Sequence, residues 1–119
     1  MRLYKYKTEE EQLAAVRQNG YAIQFIHNPS EAIQLEAIKQ NGYALEYNHN
    51  PSEKLQLEAV KQKGYAIQFI HNPSEGVIKY LLDNYSSNED VIQLLFAVIG
   101  EEGYNKLSDE DKLKLELSD

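Results

Sequence analysis

Residues 20–31 read Gly-Tyr-Ala-Ile-Gln-Phe-Ile-His-Asn-Pro-Ser-Glu, and the same letters return unchanged at residues 64–75. A version with a few substitutions occupies residues 42–53, so the spacing between copies is 22 residues each time. A short fixed period with this fidelity is typical of one supersecondary unit copied in tandem. The sequence therefore predicts a repeat protein whose neighbouring units pack against each other.

Each 22-residue copy is counted from the start of its predicted long helix, so the quoted stretches join the end of one copy to the start of the next. The first copy begins with a helix-capping signal. Thr8 and Glu11 spell the Thr-x-x-Glu capping box, in which each side chain bonds to a backbone N–H group near the other residue. We predict a helix that begins there and runs through Asn19, with Gly20 closing it.

The second copy carries a different signal. Asn28 stands before Pro29, and a glutamate follows three residues after Asn28. Asparagine is a good N-cap residue, and proline suits the first helical position. The pattern predicts a helix from Pro29 to about Asn41 that ends at Gly42 in the left-handed conformation of a helix C-cap. The third copy predicts the same arrangement over residues 51–64.

Each predicted long helix has a broad apolar arc, to which Ile33 and Ile38 belong in the second copy. Gln34 lies in the middle of this arc, and Gln12 and Gln56 take the matching places. Because a polar side chain inside an apolar surface needs bonding partners, we predict that these glutamines bond to backbone groups of an adjacent loop. The alternative is a partly exposed position in a groove.

The segment after each repeat glycine fits two secondary structures. As a strand, Tyr21, Ile23 and Phe25 of the first copy would share one face. As a helix, Ala22, Phe25 and Ile26 would share a face instead. The alternation by itself slightly favours the strand.

Beyond the third copy the pattern loosens, but helix signals continue. We predict a helix from Ser74 to about Tyr85 and a second one that includes the apolar run 91–99 and ends near Gly103. Because the run is apolar nearly all round, this helix should be the most buried one. Ser108 then caps a final acidic helix.

A longer part of each copy resembles a known repeat. Residues 57–66 read Leu-Glu-Ala-Val-Lys-Gln-Lys-Gly-Tyr-Ala, with counterparts at residues 35–44 and 13–22. The core Leu-Glu-Ala-Val-Lys-Gln-x-Gly-x-Ala resembles a family of short helical repeats of unknown function found in bacterial, bacteriophage and giant-virus proteins. The resemblance covers residues 9–75. It favours the helix for residues 21–27 and implies no catalytic residues, since the family has none assigned.

The copies and the resemblance together imply an all-α protein. We expect a short α-solenoid of tandem 22-residue helix-turn-helix repeats over residues 1–75, in which residues 1–8 form an N-terminal cap. Residues 76–119 should form a divergent acidic helical subdomain that closes the solenoid as a C-terminal cap.

Acidic residues concentrate in the last third of the chain. The formal net charge is −7, and residues 1–82 hold nine acidic and nine basic side chains, whereas residues 83–119 hold ten acidic and three basic ones. An acidic chain without a basic stripe is a poor candidate for gripping phosphates. We therefore expect no direct binding of nucleic acid.

The sequence lacks targeting signals. No stretch approaches the roughly 20 apolar residues that span a bilayer, and the polar first residues lack the core of a signal peptide. We expect no membrane contact and a cytoplasmic location, which would be the host bacterial cytosol for a phage-encoded protein. The absence of cysteine excludes disulfides, thiolate metal sites and cysteine nucleophiles.

Histidine recurs before Asn-Pro in all copies, at His27, His49 and His71. Neighbouring packed helices lie about 10 Å apart, whereas metal ligands must lie about 2 Å from a shared ion. The three histidines therefore cannot share one ion, and we interpret each as a residue beside a helix cap.

Catalytic motifs are missing from the sequence. It contains no phosphate-binding glycine loop, no Gly-x-Ser-x-Gly elbow and no His-Glu-x-x-His. The carboxylates Glu31, Glu53 and Glu75 stand at predicted helix starts, where they favour the helix dipole. We expect a non-enzymatic protein with no metal and no cofactor.

The first functional hypothesis is a non-enzymatic module that binds another protein. Repeat proteins usually bind through positions that vary along one continuous face. Tyrosine suits such contacts because it joins a large apolar face to a polar tip, although one aromatic residue per repeat also fits a stacked core. The candidate contact residues are Tyr21, Tyr43, Tyr65, Arg17, Lys39, Lys61, Gln24, Glu46 and Gln68.

A narrower hypothesis follows from the viral occurrence of the resembling family together with the small size and acidity of the chain. The protein would be a phage-encoded inhibitor that binds and blocks a bacterial defence protein such as a CRISPR effector, which makes it an anti-CRISPR.

Two alternatives stay open. The protein could be an acidic nucleic-acid mimic that occupies the basic groove of a partner. The residues that would imitate phosphates are Asp83, Glu89, Asp90, Glu101, Glu102, Asp109, Glu110, Asp111 and Glu116. The near-identity of the copies also fits an inert structural or engineered array. In any of these cases the exposed ends of so short a solenoid allow a homodimer.

Overall fold

The computed structural model describes residues 6–116, so most of the expected N-terminal cap lies outside the described residues. Within this range the chain is all-helical and forms no β-strand, which confirms the all-α class. The α-helices are α1 (Glu9–Gln18), α2 (Glu31–Gln40), α3 (Glu53–Gln62), α4 (Glu75–Tyr85), α5 (Glu89–Asn105) and α6 (Asp109–Glu116). The 3-10 helices are η1 (Gly20–Phe25), η2 (Gly42–Tyr47) and η3 (Gly64–Phe69).

Helices α2 and α3 begin two residues later than predicted. Ser30, not Asn28, is the N-cap of α2, because its Oγ accepts a hydrogen bond from the N–H of Ile33 at 3.2 Å. Asn28 has a φ of 49° in the preceding turn, a conformation that asparagine tolerates better than most residues. The predicted N-cap of α1 is confirmed at Thr8, since the N–H of Glu11 donates to Oγ1 of Thr8 at 3.1 Å. The Glu11 carboxylate accepts a hydrogen bond from the Thr8 hydroxyl at 3.0 Å.

The glycine after each long helix has a different role from the predicted C-cap. The prediction for Gly42 is wrong, because this residue lacks the positive φ of the left-handed conformation. A Cβ atom at Gly42 would lie 2.9 Å from the carbonyl oxygen of Ala59, and one at Gly20 would lie 2.5 Å from that of Ala37. Glycine therefore lets the start of a 3-10 helix touch the backbone of the next α-helix.

The segment after each glycine is a helix rather than a strand. In η1, Ala22 and Ile23 are buried, and Ile26 is buried directly after the helix. Runs of 3-10 helix longer than three or four residues are uncommon. These six-residue examples therefore depend on packing against their neighbours.

The predicted bonding of the arc glutamines is confirmed. Nε2 of Gln34 donates to the carbonyl of Pro29 at 2.9 Å, and Nε2 of Gln56 donates to that of Pro51 at 3.0 Å. Gln12 makes a similar bond to the chain that precedes α1. Each glutamine thereby satisfies a carbonyl group of the loop that leads into its own helix.

Two of these amides also bond to the next copy of the repeat. Oε1 of Gln56 accepts a hydrogen bond from the N–H of Ser74 at 3.0 Å. Oε1 of Gln34 accepts one from the side-chain amide of Asn48. A single side chain in each case ties together the loops of two successive copies.

The helices pack in two rows with the core between them. Helices α1 to α4 contact each other in chain order, as do η1 to η3, and α5 continues the second row by packing on η3. One hydrophobic cluster runs through both rows, from Ala15 near one end to Leu115 on α6. The molecule is elongated, with extents of 49 × 23 × 19 Å.

Helix α5 is less buried than predicted. Val91, Ile92 and Leu95 are buried, and the helix packs against η3 and α4. Its remaining large apolar side chains are half-buried: Leu94, Phe96, Val98 and Ile99. The helix also breaks at Gly100, which has a φ of 67° and a ψ of −176°. An apolar run in the sequence does not reveal how far neighbouring elements cover each of its faces.

Two glycine-to-alanine substitutions should have opposite effects on stability. We expect Gly20→Ala to lower the free energy of unfolding by about 1–3 kcal/mol, because its Cβ would overlap the backbone of α2. Gly76→Ala, in the first turn of α4, should raise it by up to about 1 kcal/mol, because alanine favours a helix and the nearby Glu53 carboxylate can move away. Urea denaturation measures both values. Equal effects would contradict the close approach at Gly20.

Candidate functional site

Aromatic side chains lie along the row of 3-10 helices. We call this set the aromatic row, and its members are Tyr21, Phe25, Tyr43, Tyr47, Tyr65 and Phe69. Phe25 is 50% exposed, Tyr47 41% and Tyr65 36%, and the other three are half-buried. The row is therefore partly core and partly surface.

The rings of the aromatic row contact each other between copies of the repeat. Tyr21 and Tyr47 meet edge to face with ring centroids 6.1 Å apart, and Tyr43 and Phe69 meet in the same way at 5.9 Å. Edge-to-face pairs add about 0.5–1.5 kcal/mol beyond area burial. Tyr21 and Tyr43 therefore each pack against the aromatic residue that ends the next 3-10 helix.

Half of this surface was not among the predicted contact residues. Phe25, Tyr47 and Phe69 each stand four residues after a repeat tyrosine. That spacing was a usable signal, since an aromatic residue occupies the position in all three copies.

Two charged side chains, those of Lys63 and Glu46, lie beside the middle of the aromatic row. Nζ of Lys63 lies 4.5 Å from the ring centroid of Tyr43, which is a cation–π distance. Partial desolvation raises the pKa of the Tyr47 hydroxyl, and the neighbouring Glu46 carboxylate raises it further. Tyr47 is therefore a neutral hydrogen-bonding group over the physiological pH range.

The predicted glutamine contacts on the 3-10 helices have structural bonds of their own. Nε2 of Gln24 donates to the carbonyl of Tyr21 at 3.1 Å, and Nε2 of Gln68 donates to that of Tyr65 at 3.0 Å. Glu46, in the same position of η2, is exposed beside the row. Of these three variable positions, Glu46 is the one whose side chain projects a charge.

The predicted basic residues lie on the α-helices rather than on the aromatic row. Arg17 pairs with Glu36 of the next helix at 3.6 Å, and Lys61 lies 5.9 Å from the ring centroid of Tyr80. Lys39 is exposed. The structure thus places the candidate contact residues on two sets of helices and not in one cluster.

The acidic residues of the alternative hypothesis are spread over α4, α5 and α6. Asp83 lies on α4, Glu89, Asp90, Glu101 and Glu102 on α5, and Asp109, Glu110 and Asp111 in the first turn of α6. The side chain of Glu116 lies outside what the structure describes. Lys114 lies 2.6 Å from Asp83, 3.6 Å from Asp111 and 3.8 Å from Glu110. One lysine therefore offsets part of this charge.

The repeated histidines His27, His49 and His71 are exposed in the loops before the long helices. Over residues 6–116, no group of three or more His, Cys, Asp or Glu side chains is placed where it could hold a metal ion.

Comparisons with protein-family models, curated proteins and solved structures found no match to this chain. In the part of the chain that the structure covers, no helix combines the length and the apolar character needed to cross a bilayer.

The bond between Asp83 and Lys114 predicts how the attachment of α6 depends on pH. The bond lowers the pKa of the Asp83 carboxyl and raises the pKa of the Lys114 amine. The Asp83 contribution to stability should be present above its ordinary pKa of 3.8 and lost as the pH falls through the lowered value. The Lys114 contribution should be present below 10.5 and lost as the pH rises through the raised value.

Amide hydrogen exchange of α6 tests this dependence. Asp83→Asn should make α6 exchange faster at neutral pH and remove the acid-side change. The matched control is Glu110→Gln, since that carboxylate lies farther from Lys114 and is 79% exposed. The same exchange rate in Asp83→Asn as in the control would show that the bond does not hold α6 on α4.

Proposed function

We propose that this chain is a non-enzymatic, protein-binding helical-repeat module whose contact surface is the aromatic row. One observation carries the proposal. Within residues 6–116 four large apolar side chains are exposed, and three of them, Phe25, Tyr47 and Tyr65, lie on that row. Exposed aromatic side chains that line up on one face are a common basis of protein interfaces.

The way the rings are held supports the same function. Edge-to-face contacts fix Tyr21 against Tyr47 and Tyr43 against Phe69 before any partner arrives. A prearranged aromatic surface loses little conformational freedom on binding. We further propose that the two rows of helices form a short α-solenoid, which would give this surface its continuity.

A narrower proposal concerns the partner. The resemblance to repeats of phage and bacterial proteins favours a cytoplasmic, phage-encoded inhibitor of a bacterial defence protein, such as a CRISPR effector. Its support is that resemblance, the small size of the chain and its net charge of −7.

The acidic mimic is the second candidate. Its support is the exposure of Glu89, Asp90, Glu101 and Glu102 on α5. Such a surface would bind a basic groove, and raising the salt concentration would weaken the complex strongly. An inert structural or engineered array and a homodimer formed through the solenoid ends are the remaining proposals.

Affinity capture with matched variants tests the proposed surface. Three baits are compared, of which the first is the unchanged chain. The aromatic variant carries Phe25→Ser, Tyr47→Ser and Tyr65→Ser together. The control variant carries Arg17→Ser, Lys39→Ser and Lys61→Ser. We expect the unchanged chain and the control to retain one stoichiometric protein from bacterial lysate at low and at near-physiological salt. The aromatic variant should lose it, because its exposed rings supply the interface.

Circular dichroism shows whether each variant keeps its helices, so that loss of binding can be separated from loss of folding. A partner retained by the aromatic variant would contradict the proposal. Basic proteins that leave the column when the salt is raised would favour the acidic mimic, and an empty column would favour the inert array.

A further inference from the structure

Successive copies of the repeat join through one recurring contact. A glycine and the tyrosine after it, both from the earlier copy, meet an alanine and an aromatic residue of the later copy. The contacting sets are Gly20 and Tyr21 with Ala37 and Tyr47, and Gly42 and Tyr43 with Ala59 and Phe69. At the first junction the N–H of Gly20 also donates to Oε1 of Gln40 at 2.6 Å. Each junction thus has a side that supplies the glycine and tyrosine and a side that receives them.

The first copy keeps the receiving residues, although no copy precedes it within residues 6–116. The residues that stand 22 places before Ala37, Gln40 and Tyr47 are Ala15, Gln18 and Phe25. Alanine and glutamine are unchanged between the two copies, and the third is aromatic in both. We call Ala15, Gln18 and Phe25, together with the exposed Ala14 beside them on α1, the receiving face.

The receiving face is less covered than the surfaces that match it inside the molecule. Ala15 is 9% exposed, whereas its counterparts Ala37 and Ala59 are 0% exposed. Phe25 is 50% exposed, more than any other ring of the aromatic row. The side chain of Gln18 makes no hydrogen bond with any residue in the range 6–116. A cavity of about 280 Å³ lies against α1 at this face and gives room for an occupant.

We propose that the receiving face binds the end of one further copy of this repeat, supplied by another polypeptide. The glycine of that copy would lie against α1 at Ala15, and its tyrosine would meet the ring of Phe25 edge to face. The two internal junctions select this partner, because they show what such a face binds. A unit of a repeat protein contacts only its neighbours, so the first unit keeps one such face open unless a cap covers it.

A second molecule of this chain offers no matching end in a head-to-tail arrangement. The glycines and tyrosines of its first two copies already contact the next copy. Its Gly64 faces the ring of Tyr85, which would lie 2.7 Å from a Cβ atom there, and α5 packs on η3. The expected partner is therefore a different chain whose last repeat is uncovered. Only Phe25 is shared with the aromatic row, so the inference does not rest on the proposed function.

A synthetic peptide supplies the further copy. The labelled probe has the sequence of residues 31–47, and the control peptide carries Gly42→Ala and Tyr43→Ser. We expect the probe to bind the unchanged chain in fluorescence anisotropy with a Kd below about 1 mM and to slow hydrogen exchange at the amides of Ala15 and Val16 severalfold. The control peptide should do neither, because its alanine cannot approach α1 closely. Equal effects of the two peptides, or no effect of either, would overturn the proposal.

Two matched pairs of variants test the location. Phe25→Ser should weaken binding of the probe about tenfold, whereas Tyr65→Ser removes an exposed ring at the other end of the aromatic row and should not. Ala14→Lys should weaken it severalfold, because it places a positive charge where the first internal junction has the carboxylate of an ion pair. Ala32→Lys makes the same change at an exposed alanine of α2 and should have a smaller effect.

Two results would contradict the location or the partner. Equal effects within both pairs of variants would show that the probe binds elsewhere. A dimer of the unchanged chain in sedimentation that Phe25→Ser abolishes would assign the face to a second molecule instead.

Discussion

The packing of successive helices depends on the two hydrogen bonds of the Gln56 side chain. This side chain is buried, with 7% of its surface exposed, and it bonds to the carbonyl of Pro51 and the N–H of Ser74, both at 3.0 Å. Ser74 in turn caps α4 through a bond from the N–H of Val77. One amide thereby fixes the loop before α3 against the start of α4. Leaving such buried groups unpaired costs about 1–3 kcal/mol.

The close contact of glycine with the next helix complements this bridge. Gln56 sets the distance between successive copies on the side of the loops, while Gly20 and Gly42 allow close approach on the side of the 3-10 helices. The edge-to-face ring pairs depend on both contacts, because they join residues of successive 3-10 helices. The proposed protein-binding surface is thus a consequence of how the copies pack.

The sequence predicted those features that depend on local chemistry. The α-helices, the Thr8 cap and the bonding of Gln34 and Gln56 followed from residue type and spacing. The helical form of η1 to η3 followed only from the resemblance, because the alternation by itself favoured a strand. The N-cap at Ser30 could not be predicted, because Asn28 and Ser30 are both good caps and the tertiary turn decides between them. The close approach at Gly20 and the partial exposure of α5 also escaped prediction. Both depend on which surfaces meet, and a period along the chain does not contain that information.

The most direct measurement compares Gln56→Met with the unchanged chain, using Gln18→Met at an exposed position as the control. Methionine nearly preserves the volume but removes both hydrogen bonds of Gln56. If the amide bridge orders the helices, the free energy of unfolding should fall by about 1–3 kcal/mol, and the amide of Ser74 should exchange its hydrogen much faster. Unchanged stability together with unchanged exchange at Ser74 would contradict the account.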